Sequence, residues 1–137
     1  MGCTEMQDAY LTISTTVDGK ESRMSCKAEL ELVSTSASLR YRDENASVSL
    51  SLYGDSLTIE RVGDYGLYLP LTENAYTVGR ISIAGQDGNV KIYTERLAYT
   101  IGKSTLLLQL FYTLFFGEEK QEMRLRVRAA QNHSEEK

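Results

Sequence analysis

Met123-Arg124-Leu125-Arg126-Val127-Arg128-Ala129 alternates apolar and cationic side chains without a break. Two is the period of a β-strand. No helix could send Met123, Leu125, Val127 and Ala129 to one face and Arg124, Arg126 and Arg128 to the other. Working back from that stretch, segments of roughly eight to twelve residues alternate in the same way, and each ends on a cluster of turn-forming residues.

Ala9 to Val17 places Leu11, Ile13 and Val17 opposite Tyr10, Thr12, Ser14 and Thr16, and Asp18-Gly19-Lys20 turns it. Glu21 to Val33 follows, with Met24, Cys26, Ala28, Leu30 and Leu32 inward. After Ser34-Thr35-Ser36 come Leu39 and Tyr41, closed by Asp43-Glu44-Asn45. Val48, Leu50 and Leu52 then lead through Gly54-Asp55-Ser56 to Leu57, Ile59 and Arg61, a hairpin by its turn and its pattern. Gly63-Asp64-Tyr65-Gly66 connects to Leu67, Leu69 and Leu71, where Pro70 marks an edge or a bulge because proline cannot donate to a ladder.

Tyr76 to Ile83 runs into Gly85-Gln86-Asp87-Gly88-Asn89, which reads as a hairpin turn. In the long segment Val90 to Ile101 the inward parity slips. Val90 and Ile92 share one parity, while Leu97, Tyr99 and Ile101 share the other, which predicts a β-bulge near Glu95-Arg96. Past Gly102-Lys103-Ser104, Thr105 to Phe116 is apolar on both faces. Periodicity alone leaves a helix open there, but the flanking turns, the aromatic content and the Gly117-Glu118-Glu119 hairpin favour a central strand whose second face a partner subunit covers.

These segments add up to nine or ten strands in hairpin order, with no internal repeat. The expected fold is all-β, a single antiparallel up-and-down barrel of about 8–10 strands over residues 1–130, with a disordered polar tail over 131–137. Closure removes exposed strand edges, and an open sandwich is the alternative.

Composition sets the surroundings. The chain has 137 residues, 42% of them hydrophobic and 25% charged, with no apolar run of the ~20 residues that a membrane-spanning helix needs. A net charge of -4 and a pI near 5.1 argue against nucleic acid and anionic lipid as general partners. Met1-Gly2-Cys3-Thr4-Glu5-Met6 carries no secretory signal, and Met6 stands where N-myristoylation asks for Ser or Thr. The two cysteines, Cys3 and Cys26, suit neither a disulfide framework nor a metal pair, so a cytoplasmic location is expected.

Leu57-Thr58-Ile59-Glu60-Arg61-Val62-Gly63, then Thr94 in the long strand, then Leu110-Phe111-Tyr112 before a short hairpin, resemble the YwiB-like family of uncharacterised Gram-positive bacterial proteins. The resemblance spans Leu57 to Ala129 and implies a calycin-like, lipocalin-type β-barrel. Lipocalins proper carry a Gly-x-Trp near the N-terminus, and this chain has no tryptophan.

Arg61 shares parity with Leu57 and Ile59 and should point inward, either as the anchor for an anionic ligand or as a structural plug paired with a carboxylate or main-chain oxygens. Arg80 and Arg96 are open to the same two readings. Together with Tyr93, Thr94, Tyr99 and Tyr112, Arg61 forms the candidate ligand-binding set; such aromatics line a pocket or fill a core. Arg124, Arg126 and Arg128, with Arg40 and Arg42, offer a basic face for RNA or a solvated strand surface. His133 lies in the tail, so histidine triads and imidazole metal ligands are excluded, and no catalytic residue, metal site or cofactor is expected. The expected protein is a non-catalytic barrel holding a small hydrophobic or anionic molecule, and the alternative is a filled-core barrel that works through a protein partner or as a homodimer.

Overall fold

The protein is described by a computed structural model covering residues 7–131. Within them lie ten strands: β1 (Gln7–Val17), β2 (Lys20–Val33), β3 (Ser36–Asp43), β4 (Ala46–Tyr53), β5 (Ser56–Gly63), β6 (Tyr65–Thr72), β7 (Ala75–Ile83), β8 (Gln86–Ile101), β9 (Thr105–Phe116) and β10 (Glu119–Gln131). Every strand pairs antiparallel with its neighbours in sequence, and β1 pairs with β10, so the sheet is one closed up-and-down barrel. Gln131 still belongs to β10, and its side-chain amide donates to the Leu30 carbonyl at 3.0 Å. The rest of the expected tail, with His133, and Cys3 at the other end lie outside the described residues.

Alternation decides what fills the axis. Leu11, Leu30, Leu39, Leu57, Leu69, Leu71, Ile92, Leu106 and Leu108 are all nearly or wholly inaccessible, and the inward residues of the ten strands form a continuous hydrophobic cluster. Leucine, closely packed and without polar atoms, makes this a core and not a lumen. On β9, the Leu106, Leu108, Leu110, Tyr112 and Leu114 face is buried inside the barrel. Its outer face is partly covered by its own neighbours, since the Arg124 guanidinium lies 4.7 Å over the Phe111 ring and Tyr76 packs beside Phe115.

The bulge falls where the parity slips. Thr94 pairs with Tyr112 and Arg96 with Phe111, leaving Glu95 as the extra residue that swings Leu97, Tyr99 and Ile101 back inward. Pro70 sits on a stretch of β6 that has lost β7, because that pairing covers only Tyr65–Tyr68, so its missing N–H interrupts no ladder on that side. One expected turn moves. The β7–β8 turn is Ala84-Gly85, both with positive φ, while Gln86–Asn89 already belong to β8. That register sets Gly79 opposite Val90, where a turn on Asp87-Gly88 would have set Gly85.

Candidate functional site

Arg61 points inward at one barrel end, with its side chain only 11% exposed. Its Nη1 donates to Asp64 Oδ1 at 2.8 Å and to the Tyr65 carbonyl at 2.8 Å, and the guanidinium stacks 3.7 Å over the Tyr65 ring. Burial works against the charge, but the bond to Asp64, aided by Tyr65 and Asp43, outweighs it and holds the Arg61 pKa above its usual value. The same hydrogen bond holds the Asp64 carboxyl below the usual carboxylate range. Arg61 Nη1 is thus engaged twice by the connection between β5 and β6, which is the geometry of a structural plug.

The other four residues of the predicted set separate. Thr94 and Tyr112 face each other across β8 and β9, both buried. Tyr99 lies toward the opposite end, where its hydroxyl donates to the Gly54 carbonyl at 2.7 Å. Tyr93 is on the outer wall against Tyr76, ring centroids 4.7 Å apart. Arg80 is exposed on β7 and Arg96 on β8. Burial and the neighbouring Tyr41 push the Tyr112 hydroxyl pKa well up. Tyr41 is itself pushed up to about 12, by burial first and then by Asp43 and Cys26, against a smaller opposite pull from Arg61. Tyr41 therefore links Tyr112 to the Arg61 end, a role sequence reasoning missed although its parity with Leu39 marks it as inward.

A concavity lies elsewhere. Lys20–Leu30 pair with β1, but pairing with β3 begins only at Ala28, opposite Tyr41. Beside the point where the two strands part, a cleft of about 640 Å³ lies on the outer faces of β2 to β5. Its floor is Ala28, Tyr41 and Val48; Lys27, Arg40 and Arg42 line it on one side of the charge balance and Asp8, Glu29 and Glu60 on the other. Cys26, half-buried beside it, has its thiol pKa raised by burial and by Asp43, which makes it a poor nucleophile. The cleft has a signal in the sequence, because the alternation of β2 is far longer than that of β3, and a strand that outruns its neighbour must leave an edge.

A second feature covers the outer faces of β8, β9, β10, β1 and β2. Arg96, Arg124 and Arg126 line one groove of about 470 Å³ with Phe111, and Arg23, Arg126 and Arg128 line another of about 400 Å³ with Leu107. Glu21 provides the nearby negative charge, 3.8 Å from Arg23. Among the described residues no group of three or more His, Cys, Asp or Glu is placed to hold a metal, and no helix is long and apolar enough to cross a membrane.

The fold has a known counterpart. The crystal structure of ywiB protein from Bacillus subtilis superposes with a TM-score of 0.79, covering 93% of this chain and 94% of that one at 10% sequence identity. At that identity the likeness establishes a YwiB-like barrel fold. No protein-family model matches the chain, and no curated protein matches it.

Proposed function

We propose that this protein is a non-catalytic binding barrel that acts through its wall, with the β2–β3 fork as the recognition site for an extended segment of a protein partner. The observation that carries this reading is the location of open space: the axis is packed with leucine, and the 640 Å³ cleft is at the fork. An extended peptide suits a cleft with an apolar floor, charges of both signs and strand backbone along its side, since main-chain hydrogen bonds supply affinity and alternate side chains supply selectivity. Cytoplasmic residence is part of the proposal. So is a calycin-type ancestry, which accounts for the up-and-down closure; lipocalins have eight strands and a ligand cavity, where this barrel has ten strands and a filled axis.

Native mass spectrometry of the protein purified from its own host tests the reading. The bare polypeptide mass, or a whole-number multiple of it, is expected. A stoichiometric small-molecule adduct would overturn the reading and favour a ligand held inside the barrel.

The arginine face favours a second reading, contact with RNA through Arg124, Arg126 and Arg128, now joined by Arg23 and Arg96 around two grooves. Salt-sensitive retention on immobilised RNA that disappears when the three β10 arginines become serine is its expected sign; no retention at low salt would dismiss it.

A further inference from the structure

The β1–β2 turn decides which backbone groups of β2 are free. Asp18 and Gly19 both have positive φ, 49° and 89°, which makes a type I′ two-residue hairpin with Val17 and Lys20 as its hydrogen-bonded pair. Hydrogen-bonded and non-hydrogen-bonded pairs alternate along an antiparallel ladder, so Ser22, Met24 and Cys26 bond toward β1. Glu21, Arg23, Ser25 and Lys27 therefore turn their N–H and C=O groups the other way, toward a β3 that does not reach them. Their side chains are all exposed, and among the described residues no side chain bonds to that row of backbone groups.

We infer that this free edge of β2 pairs with the same edge of a second copy, antiparallel and centred on Met24, so that two barrels share one continuous sheet. The inference rests on the wall-binding reading and names its occupant. Charge picks the partner and the register. A two-fold axis at Met24 sets Glu21 of each copy opposite Lys27 of the other and Arg23 opposite Ser25, all of them positions whose backbone groups are free to bond across the axis. Moving the axis to Arg23 would set that arginine against itself, and moving it to Ser25 would oppose Arg23 and Lys27; like charges directly opposite each other destabilise a pair of strands. An axis at Ser22 pairs Glu21 with Arg23 but shortens the contact and runs it into the turn. With the axis at Met24, the half-buried Met24 and Cys26 face Met24 and Ser22 of the second copy, and the turn at Asp18-Gly19 arrives at the fork.

The test is the oligomeric state of the full chain, read by sedimentation and native mass spectrometry, in the wild type and in a charge series. Twice the 15.4 kDa chain mass is expected for the wild type. Glu21→Lys turns two attractions into repulsions and should weaken association roughly tenfold or more, as should Lys27→Glu, while the double swap restores it. The register has its own readout. In a Cys3→Ser background, Ser22→Cys should give an interchain disulfide with Cys26 under a mild oxidant, because opposed non-hydrogen-bonded residues lie about 4.5 Å apart at Cα. Within one chain those positions are roughly 13 Å apart and cannot bridge. A wild type that stays monomeric, or a dimer indifferent to the charge series and without that cross-link, overturns the second copy as occupant. A monomer without a small-molecule adduct overturns this inference alone, whereas a stoichiometric adduct overturns the wall reading beneath it.

Discussion

Gly79→Ala tests how the axis of this barrel comes to be solid. Gly79 faces inward on β7 and its φ lies outside the left-handed region, so alanine carries no backbone strain there and the whole effect is steric. A Cβ at Gly79 would stand 2.7 Å from the Tyr68 carbonyl oxygen, 2.9 Å from Leu69 Cδ2 and 3.1 Å from Ile92 Cδ1. The carbonyl is fixed by the strand, and Leu69 and Ile92 are buried with little room to move. Overpacking of this kind costs about 1–3 kcal/mol. Loss of glycine's freedom in the unfolded chain returns about 0.4–1 kcal/mol, which leaves about 1–2 kcal/mol of net destabilisation. For a chain of 137 residues, with an unfolding entropy of about 2.1 cal/mol/K per residue, that lowers Tm by roughly 3–7 °C. Gly66→Ala on the adjoining β6 is the control, because its nearest neighbours stand 3.5 Å away or more and its backbone is equally ordinary. It should leave Tm unchanged or raise it. Thermal unfolding followed by circular dichroism, with urea midpoints alongside, reads both variants. If Gly79→Ala melts at or above Gly66→Ala, then β6 does not cross β7 as closely as described, and the case for a filled axis at this level falls.

Thr94→Val should stabilise the protein by about 1 kcal/mol, because the fully buried Thr94 hydroxyl has no hydrogen-bond partner and an unpaired buried hydroxyl costs about that much or more; a lower urea midpoint for the variant would show that the hydroxyl is satisfied after all. The buried tyrosines predict alkaline unfolding. Tyr41 is raised from 10.0 to about 12 in the folded protein, so the unfolded chain ionises first, and the stability Tyr41 contributes is full below pH 10 and lost as pH rises toward 12. Tyr112 acts in the same direction. Tyrosinate absorbance against pH should therefore show Tyr41 and Tyr112 ionising only together with loss of structure, and their complete ionisation with the fold intact would contradict the burial of both.

Period-two reading recovers the strands because each inward side chain here is apolar for one reason, exclusion from water, and that reason is local. Leu11, Ile13 and the Leu106-to-Leu114 series need no knowledge of neighbours to be assigned a face. The bulge at Glu95 is legible on the same terms, since one extra residue reverses parity. What depends on register is not. The Ala84-Gly85 turn gives way in sequence to the more glycine-rich Gly85–Asn89 stretch because the pairing of Gly79 with Val90 is a long-range fact. Arg61 is intermediate: parity sends it inward, but only the one-residue connection through Asp64 shows which acceptors it meets.

The two longest strands bring out why the fork is the place to look. Both β2 and β8 outrun one neighbour, and a strand that does so exposes a row of unpaired backbone groups. On β8 the fold itself supplies the missing partners: the Leu97 N–H donates to the Glu73 carboxylate at 3.3 Å, and the Asn74 N–H donates to the Thr94 carbonyl at 2.7 Å, so the β6–β7 turn caps the edge just past the point where β7 leaves it. On β2 the equivalent groups of Glu21, Arg23, Ser25 and Lys27 have no strand paired to them on that side, and Lys27 stands at the mouth of the cleft. The same sheet thus treats two equivalent edges differently, closing one with a carboxylate and a turn and leaving the other with Glu21 and Lys27 at its two ends, opposite charges that meet when the strand is set against its own reverse. An edge of that kind is protected against indiscriminate pairing by its charges, yet admits a strand of complementary charge, and Glu21-Ser22-Arg23-Met24-Ser25-Cys26-Lys27 read backwards is such a strand.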